Sequence, residues 1–219
     1  MSGKTRYNYV EYYVKTLIKW TVLSVTVGIL GGLLGAAFHH ALHFVTHIRQ
    51  ENTWLIFLLP VGGLISVGIY KIFGITRNRG TNEIIDAILH QKPVSPMVAP
   101  AVFLASAVTH LFGGSAGREG AALQIGGSMA SKVGNLFGLK DHNRTILVSC
   151  GMSAVFAGLF GTPLTAMIFC LEFESVGTLF TPALLPCYIS AFSASQVSAA
   201  LGVHADPFLA STLYRNVIL

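Results

Sequence analysis

Charge is what this sequence has least of. Only 11% of its 219 residues are Asp, Glu, Lys or Arg, against about 25% in ordinary soluble domains, while 53% are hydrophobic. A chain so poor in charge cannot cover a soluble core, and the composition reads as a polytopic membrane protein. Cysteine is also scarce: Cys150, Cys170 and Cys187 stand singly in apolar segments with no CxxC spacing. That excludes a disulfide framework or a thiolate metal site, and all three read as buried thiols. Acids are outnumbered by 14 Lys and Arg to 9 Asp and Glu. The basic residues flank apolar runs instead of forming one face, which excludes a nucleic-acid surface and reads as a topology signal. No short apolar stretch near the start ends in a small-residue cleavage site, so the N-terminus is expected to be retained.

What is present is organised around residues 113–127, where six glycines and the adjacent Arg118 and Glu119 interrupt an apolar region. Between Val102 and Leu139 only Arg118, Glu119 and Lys132 carry formal charge. A charge pair there needs a buried or water-lined partner surface. The glycines break the preceding helix and allow close backbone approach, and a new helix is expected over Ala121 to Leu136. Its first turn offers unpaired N–H groups and the positive end of a helix dipole, which together bind anions. A nucleotide-binding enzyme is excluded, because the stretch lacks the Gly-Lys-Ser/Thr ending of a P-loop and Glu119 would repel phosphate.

Before this stretch, residues 1–19 carry Lys4, Arg6, Lys15 and Lys19 against Glu11, interleaved with tyrosines, as expected of a cytoplasmic interface segment. Trp20 to about His47 reads as a long first helix, on which Gly28/Gly32 and Gly31/Gly35 form small-xxx-small pairs that predict a closely packed neighbour. His39, His43 and His47 align on one face. Without a nearby carboxylate or thiolate they read as polar residues at a membrane exit, not as a metal site or metalloenzyme centre. After a polar turn at residues 48–53, Trp54 to Phe73 crosses back to Lys71, Arg77 and Arg79. Gly80-Thr81-Asn82-Glu83 opens a short helix with Thr81 or Asn82 at its cap. That helix is too short to span, since spanning takes about 20 apolar residues. Lys92 to Pro96 is a linker and Pro100 to Phe112 a helix. Beyond the organising stretch, Thr145 to Leu159 is a helix interrupted at Gly158 and Gly161, and Thr162-Pro163 opens another that carries Glu172. Thr178 to Leu201 is the last apolar stretch. Short broken helices with glycine at the breaks are transporter architecture.

Gly117-Arg118-Glu119-Gly120 followed by Leu123-Gln124-Ile125-Gly126-Gly127, together with Gly161-Thr162-Pro163 through Glu172, resembles the first half of the CLC family of chloride channels and proton-coupled anion antiporters. The resemblance covers about Trp20 to Leu201. It implies an all-helical membrane fold with broken and re-entrant helices, the first of two inverted repeats, over residues 20–201, with a polar C-terminal segment over residues 202–219. It implies a transporter and not an enzyme, handling chloride or fluoride and protons in a lipid bilayer, as a homodimer with one pore per subunit and no cofactor. The plasma (inner) membrane and a cytoplasmic N-terminus are the expected location. The implied anion site is Gly117, Arg118, Glu119, Gly120 and Ala121, joined by Arg79, Gly80 and Thr81, with Glu119 as gating glutamate and proton carrier.

Departures from the family pattern are as informative. Ala121 stands where the family usually has proline, adding one N–H, and Arg79 replaces the anion-binding serine of an earlier motif that falls on residues 78–82. A fluoride-handling branch departs at the same places. Phe173 stands where many antiporters carry an inner proton-relay glutamate, and Glu174 is turned about 100° away from it. Glu172 reads as a buried structural carboxylate, and Arg118-Glu119 has the plain alternative of an ion pair ordering the helix junction. Gln124 and Lys132 receive no role. A family transport domain is about twice as long as this chain. A fragment, a truncated product or one part of a split transporter is therefore expected, and the competing reading is a non-transporting half-protein that needs or modulates a partner chain.

Overall fold

The computed structural model describes residues 3–75, 80–173 and 180–203, with side chains from residue 11 onward. The described residues contain helices and no strand: α1 (Gly3–Glu51), α2 (Leu59–Ile72), α3 (Thr81–Leu89), α4 (Val98–Leu111), α5 (Arg118–Leu136), α6 (Asp141–Phe160), α7 (Pro163–Glu172) and α8 (Leu184–Ala200), with 3-10 turns at Thr53–Leu58 and Thr181–Ala183. Among the described residues three stretches, Glu11–Glu51, Thr53–Ile72 and Asp141–Phe160, are long and apolar enough to cross a membrane, while α4 and α7 are shorter apolar helices. The basic lead-in is not a separate segment. Helix α1 begins at Gly3 and runs through it to Glu51, leaving only Asn52 between it and the next turn.

Helix α6 is the axis of the bundle, buried without interruption from Thr145 to Leu159. Its small residues allow this. A Cβ on Gly31 would strike Ala154, and one on Gly35 would lie 2.9 Å from the Gly158 carbonyl carbon, so α1 and α6 run parallel in near-contact of backbones. Gly28 and Gly32 serve a different neighbour: their added Cβ atoms would lie 2.7 Å from the Ser190 oxygen and 2.6 Å from the Ala194 oxygen of α8. The two small-residue pairs on α1 therefore seat two helices, on faces set apart by the helical turn. Gly158 does not interrupt α6. It is the contact point for α1, and the break comes at Gly161, whose φ of 69° is the left-handed conformation that ends helices.

Helix α5 runs antiparallel to α6, with Gly126 against Gly151 and Gly134 against Leu147. Helix α4 is fixed on α5 by serines. Ser128 Oγ donates to Ser95 O at 2.7 Å and accepts from Ala99 N at 3.3 Å, and Ser131 Oγ accepts from Val94 N at 2.9 Å. Ser128 thus caps α4 from another helix, since no local side chain does so. Both serines are fully buried. Ser128→Ala removes both bonds and leaves the half-buried Ala99 N–H without its partner, while Ser95 O keeps the Val98 N–H, and a loss of about 1 kcal/mol is expected. Thermal unfolding in detergent checks this.

Candidate site at two converging helix starts

Gly117 is the N-cap of α5, so the helix begins at Arg118 and not at Ala121. The N-cap carbonyl accepts the first intrahelical bond, which comes from the residue four positions on. The amide of Ala121 is thereby engaged with the Gly117 carbonyl. The unpaired N–H groups of the start are those of Arg118, Glu119 and Gly120, with that of Gly117 beside them. Ala121 itself is buried, at 5% exposure, and contributes shape.

The start of α3 lies against this turn. A Cβ on Gly120 would come within 3.2 Å of Thr81 Cγ2, and one on Gly127 within 3.1 Å of Ile84 Cγ2. Since 81 meets 120 and 84 meets 127, the starts of the two helices lie together and both chains advance away from that place, so their positive ends open there. The N-cap of α3 is Gly80, neither Thr81 nor Asn82. Its φ of 60° and ψ of −140° suit only glycine, and Thr81 is the first helical residue. Arg79 and Glu174 lie outside the described residues.

The depth of this place follows from register. Gly126 is level with Gly151, which lies three residues below the Ala154 that faces Gly31, so Gly126 is level with α1 near residue 28. Arg118 is eight residues up α5, about 12 Å at 1.5 Å per residue, hence level with α1 near residue 36. That is well inside the apolar run from Trp20 to His47 and not at either end. Helix α7 starts above this level, with Thr162 as N-cap and Pro163 at its first position, as the sequence predicts. It packs back on α6 through Phe169 against Phe156, with ring centroids 5.3 Å apart.

Glu119 is exposed on this half of the bundle, as is Gly117, while Arg118 is half-buried. The carboxylate folds back over the helix start, its Oε2 lying 3.1 Å from where a Cβ on Gly117 would sit. Ion pairs among the described residues include Lys15–Glu11, His47–Glu51 and His90–Asp86, and none joins Arg118 to Glu119, the junction-ordering pair expected as the plain alternative. Glu172 is likewise not the buried carboxylate expected from its apolar flanks: it is exposed at the end of α7, because the buried face of that short helix is Ala166, Cys170 and Leu171. Among the described residues no three His, Cys, Asp or Glu side chains gather as metal ligands. Beside the His39, His43 and His47 row, His40 Nε2 donates to Leu201 O at 3.0 Å, tying α1 to the end of α8.

Gln124 is the residue that the sequence reading passed over. It is 8% exposed, and its Nε2 donates to Gly120 O at 3.1 Å, clamping the first turn of α5. Its Oε1 is buried without a partner. An amide inside the apolar stretch Ala121 to Gly127 was the available signal, because a buried amide holds its place only by bonding backbone. An open apolar groove of about 340 Å³ between Leu34, Phe103, Leu104 and Ile125 offers an anion nothing, since its lining carries no charge or amide donor.

Helix starts that open inside a membrane bundle are the architecture of membrane proteins built from broken helices. The chain belongs to the voltage gated chloride channel family, whose model matches residues 62–215. It is 41% identical over 160 residues, 72% of this chain and 35% of that protein, to a chloride/fluoride channel protein of Pseudomonas syringae pv. tomato (strain ATCC BAA-871 / DC3000). Among solved structures, a CLC-type fluoride/proton antiporter superposes with a TM-score of 0.81 at 34% identity, covering 86% of this chain and 48% of that one. A slow cyanobacterial Cl-/H+ antiporter superposes with a TM-score of 0.66 at 24% identity over 84% of this chain and 47% of that one, and shows the same fold. The chain is thus an all-helical integral membrane protein of the CLC fold, and it spans about half or less of the relatives it matches.

Proposed function

We propose that the chain forms one repeat of a transmembrane pathway for small inorganic anions, chloride or fluoride, with the anion held at the converging starts of α3 and α5. The observation that carries this reading is the position of those starts, side by side and inside the apolar run of the bundle. Unpaired N–H groups and two aligned dipoles provide positive potential there without a buried cation. Glu119 is the gate: ionised, its carboxylate lies over the same N–H groups that an anion would use. Arg118, Gly80, Thr81 and, beyond the described residues, Arg79 border the site. The facing repeat lies on further polypeptide, and the assembly is a homodimer with the N-terminus of α1 on the cytoplasmic side. The names of the two relatives with fluoride in their description support fluoride as a carried ion. No catalysis is assigned.

Reconstitution in liposomes, with anion flux followed at controlled pH and membrane potential, tests the reading. Full-rate chloride flux through this chain alone as a monomer would overturn its assignment as one repeat. The exposure of Gly117 and Glu119 favours one second reading, a half-protein that carries no anion until a partner chain covers the α5 start. The same assay separates the two, with and without the partner.

Selectivity should answer to position 121. Proline there removes the amide that engages the Gly117 carbonyl, which loosens the first turn that fixes the Arg118, Glu119 and Gly120 amides. A small, strongly hydrated anion depends most on close donors, so Ala121→Pro is expected to shift the ranking from fluoride toward chloride. Flux ratios for the two anions measured on one preparation check this, and an unchanged ranking would count against it.

A further inference from the structure

We propose that Cys150 and Cys187 form a paired thiol site that closes to a disulfide when a small membrane-permeant two-electron oxidant reaches it, stapling α6 to α8. The two sulfurs are already in contact at 3.9 Å, and both side chains are completely buried. The helices that carry them are fastened at Cys150 itself and again two turns further on. Ser190 Oγ donates to Cys150 O at 2.9 Å and Ser198 Oγ to Gly158 O at 2.5 Å, while Ala191 and Ala194 between them are fully buried. A disulfide requires Cα atoms about 4.4–6.8 Å apart, a separation that two helices reach only where small residues line the crossing. Here Ser, Ala and Gly line it. The sulfurs must then close from 3.9 Å to about 2.0 Å, by rotation about two Cα–Cβ bonds.

The chemistry balances with an azo oxidant such as diamide. The first thiol adds across the N=N bond. The second thiol attacks that sulfur, forming the S–S bond and expelling the hydrazine, which carries away both protons and both electrons. The attacking sulfur has to be in place before the adduct is hydrolysed or reduced, and the 3.9 Å contact supplies it. Burial decides which oxidants work. The pair is level with α1 near residue 27, by the same 31-to-154 register, inside the apolar run. Large charged disulfides in the aqueous phase are therefore kept out while small uncharged oxidants enter.

The test uses the whole chain in lipid bilayers and does not depend on whether it carries anions. After oxidation with diamide, the protein is unfolded, alkylated and weighed intact. The expected result is loss of two of the three alkylatable thiols, reversed by dithiothreitol, with peptide mapping that joins Cys150 to Cys187. Cys150→Ala and Cys187→Ala should each keep both remaining thiols. Three alkylatable thiols after treatment, a bridge that uses Cys170, or cross-links only between molecules would overturn the proposal.

Discussion

Anion flux through an assembly carrying Glu119→Gln is expected to be independent of pH and to move no protons, whereas the flux of the unmodified assembly should rise as pH falls. The sign follows from competition for one set of donors. The α5 start has unpaired amides at Arg118, Glu119 and Gly120, and Glu119 Oε2 lies beside that start, 3.1 Å from where a Cβ on Gly117 would sit. An ionised carboxylate excludes an anion from amides it occupies, and a protonated one loses its charge-assisted hold on them. Flux should rise on acidification in the unmodified assembly and be flat in the mutant. Glutamine keeps the size of the side chain and gives up both charge and proton, so it separates gating from packing. Paired recordings of anion and proton movement check both halves of the expectation. Full pH dependence in the mutant would make Glu119 a structural residue.

Gly126→Val is expected to prevent accumulation of folded protein. A Cβ at Gly126 would collide with the carbonyl of Gly151, and one at Gly151 would collide with Ala130 and with the carbonyl of Gly126. Both obstacles are backbone or rigid, so relief requires α5 and α6 to separate. Overpacking a close-packed core costs about 1–3 kcal/mol and more where backbone must move, and valine adds two methyl groups beyond the Cβ. The separation would also tilt the α5 start away from α3. Gly68→Ala is the matching control: a Cβ there meets nothing within 4 Å. Gly68 lies inside α2, so alanine should stabilise by about 0.5–1 kcal/mol through helix propensity. Unfolding in detergent, read for the two variants side by side, should show opposite signs.

Much of this was legible in adjacent residues. The long apolar helices follow from composition, and the Thr162–Pro163 start of α7 follows from capping chemistry that acts within one turn. The family motifs around Glu119 and Glu172 are also local, and they led to the right family. Errors arose wherever a distant neighbour decides. Gly158 looked like a break and is instead the point where α1 approaches. Glu172 looked buried because its sequence neighbours are apolar, but burial of a short helix is set by which face meets α6 and α8. The α5 start was placed at Ala121, three residues late, because nothing in the run Gly117 to Ala121 forbids either start. At α3 the cap went to Thr81 or Asn82 because both residue types cap well, whereas Gly80, with its positive φ, takes the position.

By itself the sequence determined that this protein is a membrane-embedded bundle with glycine-bounded helix starts and a carboxylate at one of them. Those features rest on hydropathy, backbone freedom and capping, which are properties of a residue and its chain neighbours. Only the tertiary structure decided that the α3 and α5 starts share one place and that Gln124 clamps the first turn of α5. It also decided that Gly28/Gly32 and Gly31/Gly35 seat different helices, and that the thiols of Cys150 and Cys187 touch. These depend on the register between helices, which is set by interlocking surfaces far apart in the chain, so no local pattern encodes it.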